Sequence, residues 1–505
     1  MVCALSVSVA NMSLRSRVIF VAFCMAMFHL PVGLIQAGSP ITSSGLNTRI
    51  NLSAAPSIGE TQYDITGGTR SGTNLFHSFG NFNVPDHNIA NFLNDTGFAT
   101  TNILGRVTGG NVSNILGTIQ TTGFENANLF LMNPAGIVFG SNASLNVGGS
   151  VAFTTANYLR LAEIDGKAGI FHADSALPSL LTSSPVAAFG FLGPNPTAIV
   201  VQGSTLTTQP GQSLSLVGGN ITVEAGTLAN NRGQPAQLNT SPGRINLASM
   251  DSPGEILVET LGYAPNIHGQ SFGALGTIQV LEKSFIDASG NGGGTVLIRG
   301  GQFILDNSKI FANVTGPGTV SNGVELIGGG IDIAVSQDAT IQKGAVVGIN
   351  VASDASRGVT YGGVQVTADR ILFLGIPGSA ANYPNLVFTR LNTNTEGAGN
   401  AGSITLQAMS NIETTYVVSL ASTTGNNADG TQYNADGTLS PSTLARGNAG
   451  NVELTSLHGN ILMAKGGRAT EVTSATYSRG NTGRVTVTAR EGNIDLDGAN
   501  LFTHS

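Results

Sequence analysis

Along most of this chain apolar and polar residues alternate in short runs broken by Gly and Asn, as in Gly450-Asn451-Val452-Glu453-Leu454 and Gly483-Arg484-Val485-Thr486-Val487. A period of two predicts strands with one buried and one solvated face. Two runs depart from that rule. Leu129-Phe130-Leu131-Met132 and Ile137-Val138-Phe139 are continuously apolar, which predicts strands buried on both faces. Between them lies Asn133-Pro134-Ala135-Gly136. Asn first, Pro second and Gly fourth fit a type I turn. Strand, tight turn and second buried strand make a corner of a parallel β-helix. A short helical hairpin is disfavoured by Pro134, Gly136 and Gly140.

The alternating unit recurs. A Gly-rich turn, a strand, another turn and a second strand first appear at Gly211-Gln212-Ser213-Leu214-Ser215-Leu216 and Asn220-Ile221-Thr222-Val223. Later copies start at Gly243, Gly294, Gly330, Gly363, Gly402, Gly450 and Gly483, several of them introduced by Asn-Ala-Gly or Asn-Thr-Gly. The shortest spacings are about 33 residues, a solenoid-scale period. Ankyrin units have that length but need helices, and these units show none. Longer spacings hold polar loops that leave the coil, such as residues 423–444. The predicted architecture is all-β: a right-handed parallel β-helix. The chain stops within a unit, at Asn500-Leu501-Phe502-Thr503-His504-Ser505, and a truncated product or further repeats downstream are expected.

Before the repeats, Arg49-Ile50-Asn51-Leu52 and the stretch from Tyr63 to Gly68 read as strands. Phe76, Phe79 and Phe82 have a helix-like spacing, but Gly80 and Pro85 favour a strand and a bend. Leu159-Arg160-Leu161-Ala162-Glu163-Ile164 is the one piece that reads as a helical turn, and residues 179–192 read as a loop or extra-helical excursion. Asn is frequent at turns. Stacked turns let Asn side chains form amide ladders from coil to coil; ordinary turn chemistry explains a single Asn equally well.

Composition narrows the class. Gly numbers 68 of 505 residues, hydrophobic residues are 41% and charged residues only 10%, against ~25% charged in typical soluble domains. The outer surface must therefore consist largely of Ser, Thr, Asn, Gln and Gly. The formal charge is −7, so there is no basic footprint for nucleic acid. Residues 1–37 contain Arg15 and Arg17, an apolar run from Val18 to Phe28, and a small residue, Ala37, at a plausible cut. That is the pattern of a signal peptide. The apolar run is about 11 residues, too short for the ~20 of a spanning helix. Cys3 and Cys24 are the two cysteines; both fall in this segment, so the mature chain is expected to lack thiols.

The stretch that opened this reading also resembles the N-terminal secretion domain of the filamentous-haemagglutinin family, the exoproteins of two-partner secretion. That family carries Asn-Pro-Asn-Leu and then Asn-Pro-Asn-Gly-Ile. Here the segments read Asn126-Ala127-Asn128-Leu129 and Asn133-Pro134-Ala135-Gly136-Ile137, each one residue from the pattern. The resemblance runs from about Ile41 to about Phe153 and includes the strands after Asn74, Ile103 and Ser113. It implies a two-partner secretion domain at 38–160 that caps the N-terminal end of the β-helix; the residue patterns add the signal peptide at 1–37, a β-helix continuation with a loop excursion at 161–228, and β-helix repeats at 229–505. It implies export through the periplasm and across the outer membrane by a dedicated β-barrel transporter. Asn126, Asn128, Leu129, Asn133, Pro134, Gly136 and Ile137 would then form the motif for transporter recognition and folding. The product would be secreted or surface-displayed, and an adhesin for a host or neighbouring-cell ligand.

Candidate chemistry is sparse. The seven His show no metal-ligand spacing with one another or with Cys, and no cofactor motif is present. Asp332, Asp495 and Asp497 can be imagined as glycosidase-type acids, but exposed strand and turn positions explain them better. His77 reads as a strand-surface residue. No catalytic role is expected. The alternatives to an adhesin are a polysaccharide-active β-helix enzyme and a structural surface-layer component.

Overall fold

The computed structural model describes residues 40–504 apart from 55–59, 165, 229, 258–272, 322–323, 327, 353, 377–387, 417, 425–445, 465–469, 478 and 498. The expected signal segment and the body of the polar loop at 423–444 lie outside the described residues. Residues 39–505 form one compact unit.

That unit is a parallel β-helix with three strands in each turn of the spiral. One turn runs through Val364–Ala368, Arg370–Leu374 and Thr389–Thr395 before Ile404–Ala408 begins the next. The first strands of successive turns build a 14-stranded sheet that is parallel from Asn74–Phe79 to Val485–Ala489. The second strands build an 11-stranded sheet from Ser113–Ile115 to Ile494–Asp495. The third face is split into a 5-stranded sheet ending at Ser144–Asn146 and an 11-stranded sheet starting at Thr205–Thr207. All eight repeat starts lead into strands of the long sheet. The sequence pattern predicts two strands per unit, and the structure has three. The third was missed because the loops before it vary in length and mask the period.

Register explains the alternation. One lumenal column runs Leu75, Ile103, Leu129, Val151, Leu214, Ile245, Val296, Ile331, Val364, Ile404, Val452 and Val485, each paired with the next. Every member is a Leu, Ile or Val, so each rung covers the apolar face of the one before it. Burying one such side chain contributes ~1.5–3 kcal/mol before chain entropy is charged against it. No coil could bury that face alone.

The outward column beside it changes character along the helix. It reads Phe76, Leu104, Phe130 and Ala152, then Ser215, Asn246 and a half-buried Leu297, then Asp332, Gln365, Thr405, Glu453 and Thr486 further on. The early members are apolar because an antiparallel flap covers them. Its four strands lie in the order Lys167–His172, Tyr158–Ile164, Val186–Phe191, Gly254–Leu257. Leu159, Phe171, Phe189 and Ile256 pack with Phe76, Phe130 and Met132 in a second core. The Phe76 and Phe171 rings meet edge to face at 5.1 Å. The expected helical turn at 159–164 is thus a strand. Leu159 and Leu161 alternate inward, and flanking strands complete its hydrogen bonds. The excursion at 179–192 does leave the coil, but it contains the strand Val186–Phe191. Both faces of Asn128–Met132 are buried, as the continuous run predicts. Val138 is half-exposed, because the flap does not reach the second face.

Polar bolts hold the flap. The Arg106 guanidinium, 7% exposed, donates to Ser78 Oγ at 2.9 Å and to the His172 carbonyl at 2.8 Å, and lies 5.3 Å from the Phe171 ring centre. On the outer side, Arg160 Nε bridges both Glu255 oxygens at 3.1 and 3.0 Å, and the Tyr158 hydroxyl donates to Glu255 at 2.8 Å.

The late coils show why Asn-x-Gly introduces a unit. Asn400 Oδ1 accepts the Asn448 N–H at 2.9 Å, and Asn448 Oδ1 accepts the Asn481 N–H at 2.8 Å. A Cβ on Gly450 or Gly483 would collide with the carbonyl of Gly402 or Gly450 one coil earlier. Gly450→Ala is expected to destabilise by about 1–3 kcal/mol, the usual cost of overpacking against atoms that cannot move aside. Because coils touch only their neighbours, hydrogen exchange should rise in 446–497 and stay unchanged in 74–79. A uniform rise would contradict stacking by nearest neighbours.

His77 was expected on the surface. It is 1% exposed in the lumen, 6.0 Å from the Phe79 ring and 5.7 Å from Phe92, with Nδ1 3.3 Å from Thr48 Oγ1. Burial, and then the charge of Arg70, push its pKa down to about 3 from 6.5. The folded state therefore prefers neutral imidazole. Its contribution is complete above pH 6.5 and is lost as pH falls toward 3, by at most about 1.4 kcal/mol per pH unit. Denaturation midpoints should fall more steeply across that window in the wild type than in His77→Phe. Parallel pH profiles would refute the assignment.

Candidate functional site

The motif residues sit at the two corners flanking one strand, Asn128–Met132. At the entry corner, Asn126 is exposed and Ala127 is 1% exposed. The Ala127 N–H donates to the Phe124 carbonyl at 3.0 Å. A proline there has no N–H to give, so this turn closes by a bond in place of a rigid ring. Asn128 belongs to a ladder. Its Nδ2 donates to Asn102 Oδ1 at 3.0 Å, and Asn102 Nδ2 donates to Asn74 Oδ1 at 2.9 Å. Asn74 Nδ2 then reaches the carbonyls of Thr182 at 2.9 Å and Ser184 at 2.7 Å, on the excursion. In the other direction Asn128 Oδ1 accepts the Ser150 N–H at 3.0 Å, and Ser150 Oγ donates to Gln212 Oε1 at 2.9 Å. The amide-ladder reading therefore holds for these Asn residues.

At the exit corner the turn is closed by the Gly136 N–H on the Asn133 carbonyl at 3.0 Å. Asn133 Oδ1 accepts the Ala135 N–H at 2.9 Å. The side chain is 0% exposed, and its Nδ2 donates to the Asn111 carbonyl and to Ser113 Oγ, both at 2.9 Å. Its own N–H donates to Thr154 O one coil on, at 2.9 Å. One Asn thus ties the turn to the coil below and the coil above. Pro134 is half-buried, and its carbonyl accepts Thr197 Oγ1 at 2.5 Å. Gly136 has φ +112°, a conformation that side chains rarely adopt. Leu129 and Ile137 point into the lumen. Ala135, half-buried, fits without strain because a type I turn tolerates it.

Of the seven motif residues the fold gathers six into one packed corner-strand-corner segment and leaves Asn126 outside. Arg106 and Asn74 support the segment and were not singled out from sequence. A buried arginine looks like any surface arginine until the flap is known. The Asn74–Asn102–Asn128 alignment was detectable only as an Asn opening each of three successive strands.

The imagined acids do not come together. Asp332 lies on the long sheet and pairs with Arg299 Nη2, whereas Asp495 is on the second face and Asp497 follows it. Among the described residues, no group of three His, Cys, Asp or Glu could hold a metal ion, and no helix is long and apolar enough to cross a membrane.

Residues 42–298 match the family described as the TPS secretion domain. Among solved structures, the HMW1 secretion domain from Haemophilus influenzae is similar over 92% of this chain and 100% of its own, at 13% identity and a TM-score of 0.38. The filamentous hemagglutinin secretion domain is similar over the same shares, at 12% identity and a TM-score of 0.27. None of the curated proteins matches. With just over half of its length inside that family's bounds, the chain belongs to the TPS secretion-domain family and is an exoprotein of two-partner secretion.

Proposed function

We propose that an outer-membrane β-barrel transporter engages the segment from Asn126 to Ile137 while it is unfolded, and that the exported spiral serves as an adhesin at the cell surface. The observation that carries the first half is the saturation of Asn133. Its amide bonds are all spent inside the fold, and it is 0% exposed. A partner reads such a side chain only before the turn closes. Closing the turn then withdraws it, which gives the encounter a direction. With folding propagating coil by coil, structure gained outside draws the remaining chain outward without a nucleotide. Residues 1–37 act as the leader for the inner membrane, 38–160 carry the recognition segment, and the later coils form the displayed shaft.

The adhesin half is supported by surface chemistry. Charged residues are only 10% of the chain, and outward positions of the long sheet such as Gln365, Thr405 and Thr486 carry amides and hydroxyls, which suits extended contact with polar surface ligands better than groove catalysis.

Replacing Asn128 and Asn133 together by Ala should lower the exported amount by roughly tenfold or more while synthesis stays constant, since the transporter loses two amides it reads in the unfolded segment, each bond worth about 1 kcal/mol. Asn448→Ala removes a comparable ladder bond in a late coil and should leave export close to wild type. Pulse-labelling of cells and medium reads both. Equal export of the two variants would sink the proposal.

A further inference from the structure

Chain order divides the flap in two. Three of its strands, Tyr158–Ile164, Lys167–His172 and Val186–Phe191, follow one another directly. Early coils tether them on one side: Arg106 holds the His172 carbonyl, and Asn74 holds the carbonyls of Thr182 and Ser184. The fourth strand, Gly254–Leu257, comes much later. Between it and the recognition segment lie two full turns of the spiral, which begin at Val151 and Ser213, and then the strand Arg244–Ser249.

The late strand completes the cover over Asn128–Met132. The Phe189 ring lies 6.5 Å from the Phe130 ring. Phe189 belongs to Val186–Phe191, whose far edge pairs with Gly254–Leu257. Ala248, Met250 and Ile256 arrive with the late segment, none of them more than 1% exposed, and all join the second core that holds Phe130 and Met132. Before they arrive, that core lacks part of its apolar area and Val186–Phe191 has an open edge. Neighbouring strands pair within about 1–10 μs, whereas pairing across a long sequence separation waits for the loop to close.

One carboxylate fastens the late strand. Tyr158, Gly190 and Glu255 stand side by side in three adjacent strands. The Tyr158 ring fills the space where a Cβ on Gly190 would be. It thereby crosses the middle strand, and its hydroxyl donates to Glu255 Oε1 at 2.8 Å. Arg160 Nε donates to both oxygens of the same carboxylate at 3.1 and 3.0 Å. Burial, and then the bond and charge of Glu255, push the Tyr158 phenol up to about 12, so it keeps the proton it donates. Bonds to an ionised group are the stronger kind, and both ends of the ion pair are mostly buried.

We infer that Gly254–Leu257 is a late latch, with Glu255 as its positioning residue: it seals the outer face of the recognition strand only after the two following coils have formed. Until then Phe130 and Met132 stay accessible. The inference rests on the reading that a transporter engages this segment, and it sets the interval during which the segment can be engaged.

The test uses residues 39–505 with Ala152→Cys, a position 1% exposed beneath the flap. No other cysteine occurs after Cys24, so one thiol reports access to the second core. In the native state, adding Glu255→Ala should speed thiol labelling by roughly tenfold or more, as loss of bonds to a charged group implies. Hydrogen exchange in Val364–Ala368 should not change. Glu255→Gln keeps an acceptor for Tyr158 and loses the charge facing Arg160, and should fall between the two. Glu453→Ala, on a late coil, should label as the parent does. During refolding by dilution from denaturant, the thiol should become protected only after the amides of Arg244–Ser249. Unchanged labelling with Glu255→Ala would overturn the latch, and so would faster exchange throughout the chain, which marks general destabilisation. Thiol protection ahead of those amides would overturn its timing. If Ala152→Cys itself prevents folding, Ala156→Cys in the same core reports the same access. Loss of the recognition reading, by normal export of the Asn128 and Asn133 double variant, would leave these labelling results standing and is thereby distinguished from failure of the latch.

Discussion

The structure depends on parallel backbone pairing in unbroken register, which sets each lumenal Leu, Ile or Val directly over another. A shift by one residue would turn the whole column outward. Register is therefore defended at the corners. Asn side chains accept the next coil's N–H groups, and glycines let one backbone lie on another where a Cβ would intrude. The same two residue types that mark the turns in sequence hold the rungs in phase.

Within that frame, the N-terminal part differs from the shaft in having two cores. The flap adds an apolar layer outside the long sheet, and Arg106 and the Asn74 ladder fasten it there. The motif strand Asn128–Met132 is squeezed between both cores, whereas a late strand such as Val452–Ser456 has one face to water. On the proposed reading that segment is legible when extended and inaccessible once packed, and Asn133, 0% exposed with its amide bonded inside the fold, meets both demands.

Much of this was readable from residues alone, for a physical reason. Period-two alternation, Gly starts and the Asn-Pro-Ala-Gly turn are local signals, and a parallel helix is assembled from local units repeated. What escaped was non-local. The third strand of each turn was hidden by insertions of unequal length. The strand at Tyr158–Ile164 was mistaken for a helical turn because its partners, Lys167–His172 and Val186–Phe191, come later in the chain. His77 was assigned to the surface because imidazole is usually solvated; the fold instead stacks it on Phe79 in the lumen. At the motif, the turn type was legible, but the reach of Asn133 to Asn111 and Thr154 was not, since coil spacing fixes those partners.

The direction of the backbone bonds has a mechanical consequence. They lie along the spiral axis, so a pull between its two ends loads them one rung at a time and never all together in shear. Each rung adds only about 4.8 Å to the folded length, yet about 33 residues drawn straight span roughly 110 Å. A shaft held at one end would yield by unspooling single coils, lengthening more than twentyfold per coil, and would absorb a tug as work before its anchorage felt the full load.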